Sequence, residues 1–511
     1  DGSTMAWQRP VPALRLQARA EVPNLTTPKR LPPGARVVWV AVRLLWAIVP
    51  WVLRKRLGRY PSPEASRADA SLRLRHAAEH LGPTYIKLGQ IISSGEGLFP
   101  EELVREFKRC RDQVKPEPFA VVRRVVEEEL DGPIEATFKS FDPEPLAAAS
   151  IAQVHRATLR TGEEVVVKVQ RPSVAKLVRK DLRAMAWLAP PLVGRIPVAA
   201  LTNPPALVEL FAETITEELD FRLEAQNMLD VAHVLAELGQ RGYVIPRPHP
   251  RLVTRRLLVM ERLEGFSFDD VAGIKAAGID TEAVIRTGMI AFMEGALVHG
   301  VFHGDLHGGN LFVMRDGRTA LLDFGITGRL EEPRRIAFLR LMLGATTNDV
   351  RSQLEALRDL GALPHDTDLD AVITDLRLDQ TPVDPTTLTA DELVGEIQRV
   401  VKALLGYGAR MPKELMLYVK NMVFLDGAIA TLAPDLDLLG EIAHISMHFA
   451  QTHGDRLARD MGLDRLPGEI DLDGVKAGFG VDPTTERLTY RDLQERRNLI
   501  NKRMRERAAR R

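Results

Sequence analysis

The run His303-Gly304-Asp305-Leu306-His307-Gly308-Gly309-Asn310, followed by Leu322-Asp323-Phe324-Gly325, constrains this chain more than any other stretch. It sets an acid at Asp305, an amide five positions on at Asn310, and a second acid at Asp323 after a short interruption. Leu311–Arg315 and Thr319–Leu322 read as two short strands joined by Asp316-Gly317-Arg318, a turn signal. That hairpin would bring Asp323 back beside Asp305 and Asn310. Oxygen donors are the right chemistry for a hard cation such as Mg²⁺. The tripeptide His-Gly-Asp alone occurs often by chance. The tripeptide, the asparagine, the turn and the second acid in this order are specific.

The same parts make up the phosphoryl-transfer template of protein kinases: a catalytic-loop Asp near the acceptor, and an Asn and a second Asp on Mg²⁺. A chain of 511 residues with 45% hydrophobic residues can bury the core such a fold needs. Lys+Arg and Asp+Glu both number 69, a balance that argues against a dedicated nucleic-acid binder. The single cysteine, Cys110, permits no internal disulfide and no cysteine-based zinc site, and is read as inert. The twelve histidines show no His-Glu-x-x-His or similar ligand spacing.

In chain order, Asp1-Gly2-Ser3-Thr4 reads as a vector-derived scar, and residues 5 to about 35, rich in Pro and Arg, read as disordered or weakly ordered. The apolar run 37–53 carries Trp39, Trp46 and Trp51 and is flanked by Arg36, Arg54, Lys55, Arg56 and Arg59. It is a little short for a span, and Arg43 and Pro50 interrupt it. Interfacial tryptophans and basic flanks suit a helix lying on or dipping into an anionic membrane, and a helix packed on the core is the alternative. A Pro/Ser linker over 59–66 precedes a helix read from Ala68 to Ile92, within which Pro83 should start a new helix. Lys87 and Gln90 then share one face, which physics alone would leave solvated. Glu101–Lys108 and Pro118–Leu130 read as further amphipathic helices.

From Phe138 the period shortens to that of strands. Ala147-Ala148-Ala149-Ser150 precedes two strands about a Thr161-Gly162 turn, as in a nucleotide-binding hairpin with small residues approaching phosphates. Alanine at these positions stiffens the loop relative to glycine. Lys168, inside a run of valines, needs a partner, which a phosphate and a helix-borne Glu would supply. Ser173–Leu188 and Pro204–Glu237 read as largely helical, and Glu218 and Glu224 both qualify for that ion pair by position. On a continuous helix Glu218 and Asp220 would lie about 200° apart and serve different neighbours. Arg256–Glu261 followed by Arg262-Leu263 occupies the place of an adenine-reading hinge, with Glu261 and Leu263 as contacts. A long helix over 281–301 leads into the Asp305 loop. After Gly325 the chain reads as helical to about Thr452, without an Ala-Pro-Glu motif, which weakens any expectation of protein-substrate docking. The tail ends in a basic run, Arg496 to Arg511, read as a solvated helix or a face for an acidic or lipid partner.

With these residues in view the chain resembles the UbiB/ADCK family of atypical protein-kinase-like proteins, over roughly residues 75–440. The resemblance rests on Lys87-Leu88-Gly89-Gln90 (KxGQ), the Ala147–Ser150 loop, Lys168, Glu218-Leu219-Asp220 (ExD), Glu224, Asp305, Asn310 and Asp323, and on a C-terminal pair from Pro412-Lys413-Glu414-Leu415 to Pro434-Asp435-Leu436-Asp437. It implies an α+β, two-lobed protein-kinase-like fold, mostly helical, with an N-terminal KxGQ extension covering the active site. It implies that Lys87 and Gln90 face Glu218 and Asp220, that Lys168 pairs with Glu224 and reaches phosphates, that Asn310 and Asp323 hold Mg²⁺, and that Asp305 is the candidate base. The implied enzyme is an atypical kinase or ATPase binding ATP or ADP and serving quinone or other isoprenoid-lipid metabolism. The implied partners are nucleotide, an isoprenoid or quinone-like lipid and the cytoplasmic face of a membrane, with a homodimer left open and no nucleic acid.

The expected organisation runs 5–70 for the basic and apolar segment, 71–137 for the extension, 138–262 for the N-lobe, 263–452 for the C-lobe and 453–511 for the tail. Two departures from the family pattern stand out: Gly308-Gly309 replaces Pro-Gly, and Ser93-Ser94-Gly95-Glu96-Gly97 replaces a Ser-x-Arg-Pro-Asp-like turn. The C-terminal transmembrane segments of some bacterial members are also expected to be absent, with the 37–53 stretch supplying the membrane contact instead. Competing readings are a phosphotransferase of the aminoglycoside/choline-kinase type, which shares the HGDxHxxN loop, and a nucleotide-sensing scaffold.

Overall fold

The computed structural model describes residues 5–93, 100–110, 114–192, 204–346, 349–378, 403, 406–410, 412–464 and most of 472–499. Residues 1–4, read above as a scar, residues 94–97 of the departing turn, and Arg497 and 500–511 of the basic tail lie outside the described residues. By internal packing the chain forms two units: Asp1–Ala232 with Val244–Glu264 and Ala320–Thr327, and His233–Tyr243 with Gly265–Thr319 and Gly328–Arg511.

The first unit opens with α1 (Val11–Thr26), where weak order was expected. Trp7, Val11, Val22 and Leu25 are buried, and Arg15 donates to Asn227 at 2.8 Å, so tertiary packing orders a segment that its composition does not. Next come α2 (Ala35–Arg56) and α3 (Pro63–Leu81). The linker is shorter than expected because Ser62 Oγ caps α3 at Ala65 N, 3.2 Å away, and Pro63 fits the first helical turn. Pro50 sits inside α2 without ending it. Gly82, at φ 108°, breaks the chain before α4 (Pro83–Ser93), as the Gly-Pro pair predicts. The helices α5 (Glu101–Phe107), α6 (Phe119–Leu130) and the short α7 (Ile134–Thr137) lead into the sheet.

Strands β1 (Phe138–Ala148), β2 (Ala152–Leu159) and β3 (Glu164–Gln170) form consecutive hairpins. Helices α8 (Val174–Leu188), α9 (Pro204–Glu217) and α10 (Phe221–Glu237), then short β4 (Tyr243–Val244), separate them from β5 (Pro248–Val253) and β6 (Leu257–Glu261). The sheet order is β1-β2-β3-β6-β5. Period-two alternation buries Val165, Val167 and Val169 of β3 against Val122, Val125 and Val126 of α6. Each fully buried valine contributes roughly 1.5–3 kcal/mol. The same alternation sends Lys168 to the opposite face.

The 204–237 stretch is not one helix. α9 ends at Glu217, and Glu218-Leu219-Asp220 form a turn in which Asp220 Oδ1 accepts from Arg222 N at 3.1 Å and starts α10. An Asp just ahead of a helix competes for local backbone N–H groups, which a helical reading of the acidic run overlooks.

In the second unit β7 (Phe266–Ser267) pairs with β9 (Leu311–Val313), joining Phe266 to Val313 and Ser267 to Phe312. α11 (Val271–Ala276) and α12 (Thr281–Glu294) follow β7. The helix expected to reach 301 ends in a π-turn at Gly295–His299, and Gly300 takes a left-handed φ of 70° before β8 (Val301–His303). A Cβ at Gly300 would fall 2.5 Å from Leu330 O. The expected hairpin is present: Met314 N bonds Arg318 O at 2.8 Å, Gly317 is at φ 84°, and β10 (Thr319–Leu321) follows. After β11 (Thr327–Arg329) the described elements are α13 (Glu332–Thr346), α14 (Val350–Asp359), α15 (Leu369–Leu376), α16 (Lys413–Leu432) and α17 (Leu438–Asp460). Tyr418 of α16 stacks on Phe292 at 5.1 Å and meets Phe338 edge-on at 4.7 Å, tying α16 to α12 and α13.

Candidate functional site

The predicted site residues divide between the units. Asp305 and Asn310 belong to the second, and the rest belong to the first.

In the first unit Lys168 is held in β3 by pairing to Val154 on one side and Leu258 on the other. Its Nζ lies 2.8 and 3.0 Å from the Glu224 carboxylate oxygens and 3.2 Å from Asp323 Oδ1. Of the two glutamates open on sequence, Glu224 takes this lysine. Burial pulls the Lys168 ammonium down, but the carboxylates of Asp323 and Glu224 outweigh it and hold it above its ordinary range. Burial pushes the Glu224 carboxyl up to about 7 despite the opposing pull of Lys168. Asp323 has φ 53°, a strained value for a residue with a Cβ, and Gly325 N bonds its Oδ1 at 3.2 Å. The neighbouring Phe324 is fully buried, and its carbonyl accepts from Asn227 Nδ2 at 2.9 Å. The strained aspartate is therefore fixed from both sides, with its side chain 47% exposed.

Glu218 takes the other lysine: Lys87 Nζ lies 3.0 Å from Glu218 Oε2. Gln90 is half-buried three residues further along α4. Gly89 between them is required by packing, since a Cβ there would fall 2.3 Å from Cδ1 of the buried Phe107 ring. Asp220 departs from expectation. Its carboxylate grips Arg222, at 2.7 and 3.0 Å, because both residues belong to the turn that opens α10.

The alanine-rich segment is less of a loop than expected. Ala147 and Ala148 continue β1, paired with Val154 and Gln153, and only Ala149-Ser150-Ile151 make the turn, closed by Ala149 N to Ala152 O at 2.8 Å. Arg171 Nε donates to Ala149 O at 2.8 Å, and Ser150 is buried. At the predicted hinge, Glu261 N bonds Arg247 O at 2.9 Å and the Glu261 carboxylate pairs with the Arg247 guanidinium. Leu263 is half-buried just beyond β6.

In the second unit Asp305 N bonds His303 Nδ1 at 3.1 Å, and Asn310 Nδ2 donates to Asp305 O at 2.9 Å. Gly308-Gly309-Asn310 form a single 3₁₀ turn, with Gly309 N on His307 Nδ1 at 3.1 Å. A Cβ at Gly308 would fall 3.0 Å from Asp269 Oδ2, so the glycine that replaces proline here suits its own neighbour.

Two residues that sequence reasoning did not single out complete this loop. Lys420 of α16 forms an ion pair with Asp305 Oδ1. Asn421, fully buried, donates to His303 O and accepts from Leu306 N at 3.0 Å. A Lys-Asn pair within the otherwise apolar stretch 415–425 was the signal that could have found them, because buried polar groups need partners.

The oxygen donors of Asp323 and Asn310 have the chemistry Mg²⁺ takes, and the half-exposed Asp323 carboxylate is accessible to it. The ammonium of Lys168 has the chemistry that attracts phosphate oxygens.

Comparison with known proteins agrees with the motifs. The family model of the ABC1 atypical kinase-like domain matches residues 109–357. The chain is 36% identical over 407 residues to an uncharacterised protein of Mycobacterium tuberculosis, covering 78% of this chain and 83% of that one. It is 35% identical over 408 residues to an uncharacterised chloroplastic aarF domain-containing protein kinase of Arabidopsis thaliana, covering 75% of each. It is also 31% identical over 401 residues to the protein named "Probable protein kinase UbiB" of Marinobacter nauticus, covering 78% and 71%. The fold is thus the kinase-like α+β fold, and the chain belongs to the UbiB/ADCK family of ABC1 atypical kinase-like proteins.

Proposed function

We propose that this chain is a Mg²⁺-dependent, ATP/ADP-binding kinase-like ATPase that acts at a membrane surface in quinone or other isoprenoid-lipid metabolism. The observation that carries the reading is the buried Lys168 ammonium between Glu224 and Asp323. A charged lysine on a central strand, oriented by a helix glutamate and next to an exposed aspartate, is the arrangement that binds a metal-nucleotide phosphate. Asp323 and Asn310 would hold Mg²⁺, which when bound would neutralise charge developing on the transferred phosphoryl group. Asp305, held by Lys420, is the group of the chain that would accept a proton from an attacking water or hydroxyl. The link to quinone metabolism rests on relatives bearing the UbiB name and is a proposal for this chain.

The membrane part rests on α2. Val38, Val42, Leu45, Trp46, Val49 and Leu53 share one face, and all are exposed, Trp46 at 76%. The other face is docked: Val37, Val40 and Trp51 are buried, and Trp51 Nε1 donates to Ser66 O at 3.0 Å. Arg54, Lys55, Arg56 and Arg59 are exposed at the end of α2. One face in protein and one in lipid, with cations at the headgroups, is the chemistry of an interfacial helix. α2 and α16 are both long and apolar enough to cross a membrane. α16 places Lys420 and Asn421 on the Asp305 loop and buries Leu417, Tyr418 and Leu425, as a core helix does.

The test is ATP turnover with Mg²⁺, with and without anionic vesicles and a quinone-headgroup-like phenol, for the wild type and Asp323→Asn. Turnover that rises on vesicles and is lost in Asp323→Asn supports the proposal. Nucleotide binding without turnover under every condition overturns it in favour of a scaffold. Replacing Leu45 and Trp46 with Asp should abolish co-flotation with the vesicles, and unchanged flotation removes α2 from the membrane.

A further inference from the structure

We propose that Glu294, His448 and His453 form a transition-metal site of zinc type that clasps α17 to the end of α12. No step of the proposed phosphoryl chemistry uses these residues. All three belong to the second unit. Glu294 is the last residue of α12, and its side chain is 1% exposed. His448 Nε2 and His453 Nε2, both from α17, converge on the same oxygen, Glu294 Oε1, at 2.7 and 2.9 Å. The three ligand atoms lie within 4.8 Å of one another, and among the described residues this is the one His/Cys/Asp/Glu cluster so arranged.

Two features favour a metal. First, the donor set is two imidazole nitrogens and one carboxylate oxygen. This His₂Glu set suits Zn²⁺, whereas Mg²⁺ and Ca²⁺ prefer oxygen alone. Second, Glu294 is supported as a ligand should be: Gln240 Nε2 donates to its other oxygen at 2.6 Å, fixing Oε2 and leaving Oε1 toward the histidines.

Zinc bond lengths imply an N···O separation of roughly 3.3 Å in a tetrahedral site. The two His–Glu contacts, now 2.7 and 2.9 Å, therefore need to open by about half an ångström. His448, whose side chain is 31% exposed, can move that far and leaves a solvent-facing fourth position for water. The clasp would fix α17 to the helix end from which the π-turn Gly295–His299 leads directly into β8 and His303.

The test uses the tag-free full chain, stripped with chelator and held in excess Mg²⁺ and ADP so that the nucleotide residues do not compete. ZnCl₂ is titrated calorimetrically, and CoCl₂ is followed by visible absorption. The expected result is one equivalent of Zn²⁺, a tetrahedral Co²⁺ spectrum that Zn²⁺ erases, and a Zn²⁺-dependent rise in melting temperature. His448→Ala and His453→Ala should each weaken binding at least about tenfold and remove the rise in melting temperature. Equal affinity in the wild type and both variants overturns the site. If the variants fail to fold, the wild type decides alone, because absence of the tetrahedral Co²⁺ spectrum overturns it as well.

Discussion

Lys168 Nζ lies 2.8 Å from Glu224 Oε1 and 3.2 Å from Asp323 Oδ1, so a single ammonium joins carboxylates 99 residues apart in the sequence. Lys168→Met should keep the fold, since methionine fills similar space and the carboxyl of Glu224 can take up a proton. It should weaken ADP and ATP binding at least tenfold, about 1.4 kcal/mol. Fluorescent-nucleotide titration measures this, and wild-type affinity in the variant would remove Lys168 from phosphate binding.

Glu224 makes stability depend on pH. Its carboxyl is raised from the usual 4.5 to about 7, chiefly by burial, so the folded state binds a proton that the unfolded chain has released. The contribution is fully present below 4.5 and is lost as pH rises through about 7. Lys168, also raised, contributes at full strength below its ordinary 10.5 and stays constant across this window. The Glu224 slope is at most about 1.4 kcal/mol per pH unit. Glu224→Gln should flatten it. Urea unfolding at about pH 5 and about pH 8 tests this, and identical pH slopes for the two proteins would contradict it.

Asn421→Ala should cost about 1–3 kcal/mol, because it strands His303 O and Leu306 N in a buried loop. Turnover should fall as well, since that loop carries Asp305. A melt and a turnover assay on the same preparation check both effects. Unchanged stability would show that the loop holds its shape without α16.

Arg36 Nε lies 2.6 Å from Oδ1 of Asp181, whose side chain is fully buried. Burial raises the Asp181 carboxyl above its usual range, and Arg36 opposes that rise. Removing one partner of a buried pair leaves the other stranded, so Arg36→Ala should destabilise by about 3–5 kcal/mol. Adding Asp181→Leu should recover most of that loss. A double-mutant cycle in urea checks it, and additive effects of the two changes would mean the pair is not coupled.

What was legible in the sequence had local spacing. Asp305, Asn310, Asp323 and Lys168 are marked by residue type within short motifs, and the hairpin between Met314 and Arg318 follows from Asp316-Gly317. By position alone Glu224 was one of two choices, since spacing does not reveal which glutamate faces a strand lysine, and the family resemblance selected it. The break at Glu218–Asp220 was missed because helical periodicity continues on both sides, while the interruption comes from one side chain capping the next turn. The order of α1 was missed because its Pro- and Arg-rich composition hides three buried residues, Val11, Val22 and Leu25, and a contact from Arg15 to Asn227 far along the chain. The Glu294, His448 and His453 cluster has no motif at all: 154 residues separate Glu294 from His448, and only folding brings them together.

The turn between α9 and α10 carries a mechanical consequence. Glu218, which holds Lys87 of the N-terminal extension, and Glu224, which holds the strand lysine Lys168, leave the backbone on either side of Asp220. They share one short lever. A rotation of the first turn of α10 that draws Glu224 away from Lys168 is therefore expected to pull on Glu218 as well, so that the contacts of Lys87 and Lys168 change together.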